Sequence, residues 1–498
     1  MKFKPKIFFL VIFLILLFSK SSYPANFSDI TSTNLPAISD FSLGAVAVDA
    51  DKDGDFDIFV ANNGQDRLLL NNSSGVFSDA YLPQDNDYST GAAVGDVNGD
   101  GYDDIFVANF SVQNRMLIND GTGNFQDKAN IWLPSDTSPS TSGAFGDIDG
   151  DGDLDLVVAN SSSSKSDAIR ILINDNKTKF VDETSTRLPV SNSAYTQKVI
   201  LSDFDRDGDL DILAINSLGI SNKLLINDGT GHFTEDTTGI IPTDSDSSNS
   251  AAIADIDIDG KIDYIFIAND GGQQNKLYIY NTSTSKFEDK TSTNLPADTD
   301  NSFDAAFGDL DGDGDLDIVI ANGKDSGQAN KVYINGDTGI FTSADASFFP
   351  QGTDFSTAVL IRNFDGISGN EIFIANAFNQ QNKLYSAGEI PPAITLSSFT
   401  AEAKGKGVIL RWETASELDN VGFNVLRAES EDGEYVKINE KIIRTKGNAT
   451  KGAVYKFKDK NVQPGKTYWY KLEDIDRDGV STLHGPVSVE VSYKKKGK

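Results

Sequence analysis

The sequence predicts an all-β chain: a seven-bladed β-propeller over residues 26–386 and a smaller β-sandwich over residues 394–492. Three observations predict it. An Asp-rich loop returns at an interval near 50 residues, β-rich runs flank each copy, and the start of the mature chain carries a strand that the last copy lacks.

The loops begin at Asp49, Asp96, Asp147, Asp203, Asp255 and Asp309, with a degenerate copy at Asn363, and the steps between them are 47, 51, 56, 52, 54 and 54 residues. That period suits one four-stranded blade. Small apolar residues (45–48, 92–95, 305–308) enter each loop and β-branched runs (58–60, 318–320) leave it, which predicts a hairpin. A third strand follows (223–226, 276–279), then a turn of Asn-Asp-Gly-Thr-Gly type, then a fourth strand opened by Phe77, Phe125, Phe180, Phe233, Phe287 or Phe341. Most fourth strands are expected to run to a step such as Leu133-Pro134 or Ile241-Pro242, where proline's missing N–H ends pairing. The seventh unit stops after Lys383-Leu384-Tyr385, whereas residues 27–36 nearly copy residues 287–296. The first residues are therefore expected to complete the last sheet and close the ring. An open solenoid would want polar capping repeats, and none is visible.

Each loop reads DxDxDGxxD with small departures. The first offers Asp49, Asp51, Asp53 and Asp57; the second Asp96, Asn98, Asp100 and Asp104; the third Asp147, Asp149, Asp151 and Asp155. The fourth offers Asp203, Asp205, Asp207 and Asp211; the fifth Asp255, Asp257, Asp259 and Asp263; the sixth Asp309, Asp311, Asp313 and Asp317. A glycine follows the third ligand position every time, as at Gly54 and Gly314, and permits the sharp turn. A hard cation such as calcium takes about 6 to 8 oxygens, and alternate residues of a tight loop can all point inward. The seventh position (Asp55, Tyr102, Asp153, Asp209, Lys261, Asp315) varies in chemistry, which suits a backbone carbonyl ligand. Magnesium keeps several waters and fits such a cage less well. An EF-hand would need glutamate at position twelve, where Val60, Val107, Val158, Ala214, Phe266 and Ile320 stand. A polar turn needs one or two acids, yet these six loops hold 28 carboxylates that repel one another without a cation. About six Ca2+ sites are expected. The seventh loop, from Asn363 to Glu371, is expected to keep the turn and lose the metal.

The formal net charge is −31, and residues 394–498 hold 19 Lys and Arg against 15 Asp and Glu, so the acids belong to the repeats. Nucleic acid is excluded as a partner by that sign. Lys2, Lys4 and Lys6 precede an apolar run at 7–18, with Ser19 and Ser21 or Ala25 as cleavage positions, which predicts a signal peptide over 1–25. The run is short for a membrane span of about 20 residues, and no later segment is long enough. A monomer that is secreted, extracellular, periplasmic or held at a cell surface is expected. There is no cysteine, hence no disulfide and no lipidated anchor.

With their Phe145-Gly146-Asp147 and Phe307-Gly308-Asp309 steps, the units resemble the FG-GAP repeats of integrin α-subunits and the related VCBS repeats of bacterial secreted proteins. The resemblance spans residues 26–386. It implies a seven-bladed propeller with calcium in hairpin loops on one face, and adhesion or ligand contact through loops on the other. Residues 394–492 resemble a fibronectin type III domain, an Ig/fibronectin-like β-sandwich with Trp412 in its core and Tyr468 at a tyrosine corner. Pro391-Pro392 marks a linker over 387–393, and Lys494-Lys495-Lys496 belongs to a basic tail over 493–498. Asp474, Asp476, Asp478 and Gly479 imitate a metal loop, but Thr482 replaces the closing acid, so a hairpin turn is expected.

His232 and His484 are the chain's two histidines, which leaves a Ser-His-Asp triad little to build on. Glycosidase-type chemistry needs two facing acids, for which Asp85, Asp87, Asp244, Asp246, Asp298, Asp300 and Asp304 are candidates; their serine-rich settings predict solvated loops. The favoured reading is a non-enzymatic adhesion or ligand-binding module for an extracellular protein or glycan. The alternative is a calcium-dependent polysaccharide lyase or glycosidase on the same fold.

Overall fold

The computed structural model describes residues 26–163, 168–188, 195–257, 259–323, 328–336, 339–367, 369–387, 394–404, 407–417, 420–431, 433, 435–439, 441–447, 451–476 and 481–491. The expected signal peptide, the Pro391-Pro392 step, Asp478, Gly479 and the basic tail lie outside them.

Among the described residues, seven antiparallel four-stranded sheets repeat along the chain. In the first, Ser42–Val48, Asp57–Asn62, Arg67–Asn71 and Phe77–Ala80 pair in chain order. The acidic loop joins strands one and two, and the Asn-Asp-Gly type turn, where present, joins strands three and four. Second strands are buried along their whole length in most sheets, as in Asp104–Asn109 and Asp317–Asn322, which is why they read as unbroken apolar runs between polar ends. First strands carry small residues because they crowd one another: a Cβ on Gly91 would lie 2.7 Å from the Thr141 carbonyl of the next sheet. Ser42–Val48 packs beside Ser89–Gly95, and so on in order to Ser356–Arg362, which packs against Ser42–Val48 again. Residues from all seven first strands line a cavity of about 180 Å3.

The seventh sheet takes its outer strand from the chain's start. Ser28–Asp29 pairs with Lys383–Ser386, in the register Ser28 to Ser386 and Asp29 to Tyr385. Phe27 is buried against Phe348 and Phe349, with ring centroids 5.7 and 6.0 Å away, and its N–H donates to the Phe348 carbonyl at 2.8 Å.

The fourth strands are shorter than expected. Among the described residues a single helical turn intervenes before the Leu-Pro step in four places: Thr31–Asn34, Ala129–Trp132, Thr184–Arg187 and Thr291–Asn294. An aspartate ending the strand starts each turn, as where the Thr291 N–H donates to Asp289 Oδ1 at 2.9 Å. The residue before proline then returns to extended backbone, Leu295 at φ −107° and ψ 148°, because the proline ring disfavours the helical region there.

The C-terminal residues form a three-stranded sheet (Ile394–Lys404, Gly407–Glu417, Val454–Asp459) and a five-stranded one built on Asn420–Ala428 and Thr467–Asp476. Trp412 is buried between Phe423 and Tyr455, stacked on the Tyr455 ring at 5.2 Å. Tyr468 Oη accepts the Gln463 N–H at 3.0 Å. Asp474 sits inside a strand, with Oδ1 2.5 Å from His484 Nε2. Among the described residues no helix is long and apolar enough to cross a membrane.

Candidate metal centres

Each acidic loop is held by its own carboxylates. In the third, Asp147 Oδ1 accepts the N–H groups of Gly150 and Asp151 at 2.8 and 3.1 Å, and Oδ2 accepts that of Gly152 at 3.0 Å. The fifth position then holds the seventh: the N–H of Asp55, Tyr102, Asp153, Asp209, Lys261 or Asp315 donates to the acid two residues earlier at 2.9 to 3.1 Å. The seventh residue is thus fixed by its backbone, and its side chain is free to vary.

Among the described residues five loops bring three acids to within 4.8 Å of one another, atom to atom: Asp49, Asp51 and Asp53; Asp147, Asp149 and Asp155; Asp203, Asp205 and Asp211; Asp255, Asp257 and Asp259; Asp309, Asp311 and Asp317. The second loop carries Asn98 where the others have an acid, and Asn98 Oδ1 accepts the Asp100 N–H at 2.8 Å. Asp49 Oδ1, Asp51 Oδ1 and Asp149 Oδ1 are buried without a hydrogen-bond partner. Buried carboxylate oxygens without donors, gathered among like charges, fit a hard cation. Asp53 joins the group in the first loop and Asp259 in the fifth, while Asp151, Asp207 and Asp313 stand outside theirs.

The closing acid does more than the spacing implied. Asp57, Asp104, Asp155, Asp211 and Asp317 each open a second strand, with one oxygen accepting the N–H of the loop's second residue and the other that of a third-strand asparagine. For Asp104 the donors are Val97 at 3.3 Å and Asn119 at 2.8 Å; for Asp317 they are Leu310 at 2.9 Å and Asn335 at 2.8 Å. Burial pushes Asp57, Asp104, Asp155 and Asp211 up to about 7, and Asp317 well above the ordinary carboxylate range. Neighbouring loop acids add to the effect, so a divalent ion would relieve a strained charge state.

The asparagines were visible in the sequence only as turn residues. The Asn119 side chain donates to the Ala50 carbonyl at 2.8 Å, Asn174 to Val97 at 2.9 Å, Asn227 to Ile148 at 2.8 Å, and Asn71 to Phe364 at 2.6 Å. Each tie runs from one sheet to the second residue of the preceding sheet's loop. The degenerate seventh loop keeps this scaffold: Phe364 N–H donates to Glu371 Oε2 at 2.8 Å.

Basic side chains also enter the loops, with no sequence signal to find them. Arg187 Nη2 lies 3.0 Å from Asp149 Oδ2, and Arg206 Nη2 lies 3.1 Å from Asp263 Oδ1. Asp263 is not placed like the other closing acids, since its second strand starts one residue later, at Tyr264–Asn269.

The acids of the opposite loops are paired and at most partly exposed, which corrects the expectation of freely solvated loops. Arg115 is buried and pairs with Asp66, Asp85 and Asp127. Lys276 pairs with Asp246 at 3.2 Å, and Lys331 with Asp298 and Asp300 at 2.7 and 2.6 Å. Tyr278 and Tyr333 donate to Asp244 and Asp298, each at 2.5 Å. Asn109 Nδ2 reaches Asp87 at 3.4 Å. Asp304 belongs to a first strand facing the central cavity, where it meets Lys198 at 3.1 Å and Ser250 at 2.6 Å. The sequence missed these pairs because each cation comes from a third strand or a different sheet. His232 is exposed, with Nδ1 3.0 Å from Thr230 Oγ1, in keeping with a turn residue.

A search of curated proteins found no match. Among solved structures, the chain is similar to a virginiamycin B lyase from Staphylococcus aureus, at 12% identity and TM-score 0.46, over 72% of this chain and 97% of that one. It is similar to YCF48 from Cyanidioschyzon merolae at 14% identity and TM-score 0.44, over 72% and 98%. It is also similar to an Agrocybe aegerita lectin whose structure concerns recognition of non-reducing terminal N-acetylglucosamine, at 17% identity and TM-score 0.42, over 63% and 82%. The FG-GAP-like repeat matches five times in overlapping windows, at residues 49–107, 96–158, 147–214, 203–266 and 255–320, each running from one acidic loop past the next. Those windows span more than half of the sequence, and the chain belongs to the FG-GAP-like repeat family.

Proposed function

We propose that this chain is a secreted or cell-surface calcium-binding propeller of seven blades, over residues 26–386, that presents a ligand-binding surface for protein or glycan without catalysing a reaction. Residues 394–492 are its fibronectin type III-like spacer, residues 1–25 its signal peptide and residues 493–498 its basic tail. Loops one to six each take one Ca2+, through the acids of positions one, three, five and nine, Asn98 in the second loop, and the seventh-position carbonyl.

The observation that carries the calcium reading is the set of buried, donor-less oxygens on Asp49, Asp51 and Asp149 inside pre-shaped turns. Calcium would supply the charge those oxygens face, while the residues themselves fix the turn and tie it to the neighbouring sheet. Binding is favoured over catalysis because the acids an enzyme would use are engaged: Asp85 by Arg115, Asp246 by Lys276, Asp298 by Lys331 and Tyr333. Each of these acids is held in an ion pair by a neighbouring cation.

The test is a glycan and extracellular-protein array probed with purified chain in calcium, run beside a reducing-end assay on every glycan bound. Calcium-dependent capture without new reducing ends supports the proposal. Turnover that disappears when Asp85 or Asp298 is changed to asparagine would replace it with the enzymatic reading.

A further inference from the structure

In loops one to four and six, position four lies in the left-handed backbone region. Gly99, Gly150 and Gly312 occupy it at φ 72°, 77° and 73°, where the absent Cβ makes that conformation easy. In loops one and four the same place holds Lys52 at φ 62° and Arg206 at φ 69°, residues that adopt it at a conformational cost. Both side chains leave their own loop and enter the acidic loop of the next sheet. Lys52 Nζ donates to the Gly101 carbonyl and lies 5.2 Å from the Tyr102 ring centroid. Arg206 Nη2 donates to the Ile262 carbonyl at 2.9 Å and to Asp263 Oδ1 at 3.1 Å, with its guanidinium 3.5 Å from the Tyr280 ring centroid.

The fifth loop is built differently around that contact. Asp263 precedes its strand, and the third-strand N–H that elsewhere meets the closing carboxylate goes instead from Tyr280 to the Asp263 backbone carbonyl at 2.8 Å. Asp263 Oδ2 accepts the Ile256 N–H at 3.2 Å, as the other closing acids accept that of their loop's second residue, but Oδ1 is held by the Arg206 guanidinium in place of a third-strand N–H. Asp263 stands outside the group of Asp255, Asp257 and Asp259, as Asp57 does in the first loop, whereas Asp155, Asp211 and Asp317 join theirs. Lys261 adds a second positive charge in the same loop.

We propose that Arg206 is the built-in counter-cation of the fifth loop and weakens that loop's hold on a divalent cation. The inference rests on the reading of the loops as calcium sites. A guanidinium and a divalent ion compete for one carboxylate oxygen, and the non-glycine residue at a left-handed position is accounted for by what its side chain does 57 positions later.

Calorimetric titration of calcium chloride into the chelator-stripped full chain tests this. The expected isotherm contains a weak step that belongs to the fifth loop. Arg206→Gly, which suits the backbone at 206, is expected to tighten that step tenfold or more, and adding Asp263→Asn to cancel the gain. Arg206→Gln keeps the side-chain stem while removing the charge, and is expected to give the same tightening if the glycine variant does not fold. A weak step unmoved in the folded variants, with the other sites filling normally, overturns the proposal. No calcium uptake by any variant overturns the reading of the loops instead.

Discussion

Asn227 joins two sheets through one residue: its backbone N–H donates to Asp211 of its own sheet at 2.9 Å, and its side chain donates to Ile148 of the preceding sheet's acidic loop at 2.8 Å. The order of a loop and the contact between sheets are therefore one feature. Asn227→Ala removes the side-chain donor and strands a buried carbonyl, which costs about 1 to 3 kcal/mol. Urea denaturation in calcium is expected to show that loss, together with weaker calcium binding at the third loop, where Ile148 is the second residue.

Chelation is expected to lower the melting temperature. Each site saturated at about tenfold over its Kd contributes roughly 1.4 kcal/mol, so filling several sites moves the transition by many degrees. Differential scanning calorimetry in EDTA, in calcium and in magnesium checks this, with magnesium expected to restore less because it gives up its waters reluctantly. Equal melting in EDTA and calcium would refute the cation reading.

Asp317→Asn is expected to be among the most damaging single changes in the acidic loops. Asp317 accepts the N–H groups of Leu310 and Asn335 and lies in the most buried of the acid groups, so the amide leaves one donor facing another. A loss of about 1 to 3 kcal/mol is expected with calcium absent, and a larger one with calcium present as a site is lost. Paired denaturation curves separate the two parts.

Phe27→Ala tests closure by the N-terminal strand. Emptying a buried phenylalanine site costs about 3 to 5 kcal/mol, here at the seam where Phe27 meets Phe348 and Phe349. Limited proteolysis is expected to cut first near residues 26–36, and unchanged stability would show that the ring does not depend on this strand.

Glu371, which closes the degenerate seventh loop, gives a pH dependence outside loops one to six. Burial, with Asp365 adding to it, raises its carboxyl from 4.5 to about 7. The folded state therefore holds the proton more tightly than the unfolded one, so its stabilisation is complete below about 4.5 and is lost as pH rises towards about 7. In saturating calcium, Glu371→Gln is expected to gain on wild type by a few kcal/mol across that window. A flat difference curve would contradict it.

Much of the repeat was legible because its signals are local. Strand alternation, the Asp-x-Asp-x-Asp-Gly turn and the Phe-led fourth strand each lie within about ten residues, and the match of residues 27–36 to 287–296 gave the strand exchange directly. The helical turns at Thr31–Asn34 and its counterparts were missed because four residues carry no periodicity. The burial of Asp85 and Asp298 was missed because serine-rich surroundings read as solvent while their partners, Arg115 and Lys331, stand some 30 residues on.

The sequence by itself determined the period, the chemistry of the acidic turns and the source of the last strand, since backbone preference and charge repulsion act between near neighbours. Only the tertiary structure decided which asparagine holds which carbonyl, which acids are paired, and that Arg206 occupies Asp263. Those contacts join residues tens of positions apart, and they exist only because packed first strands bring each loop against the next sheet.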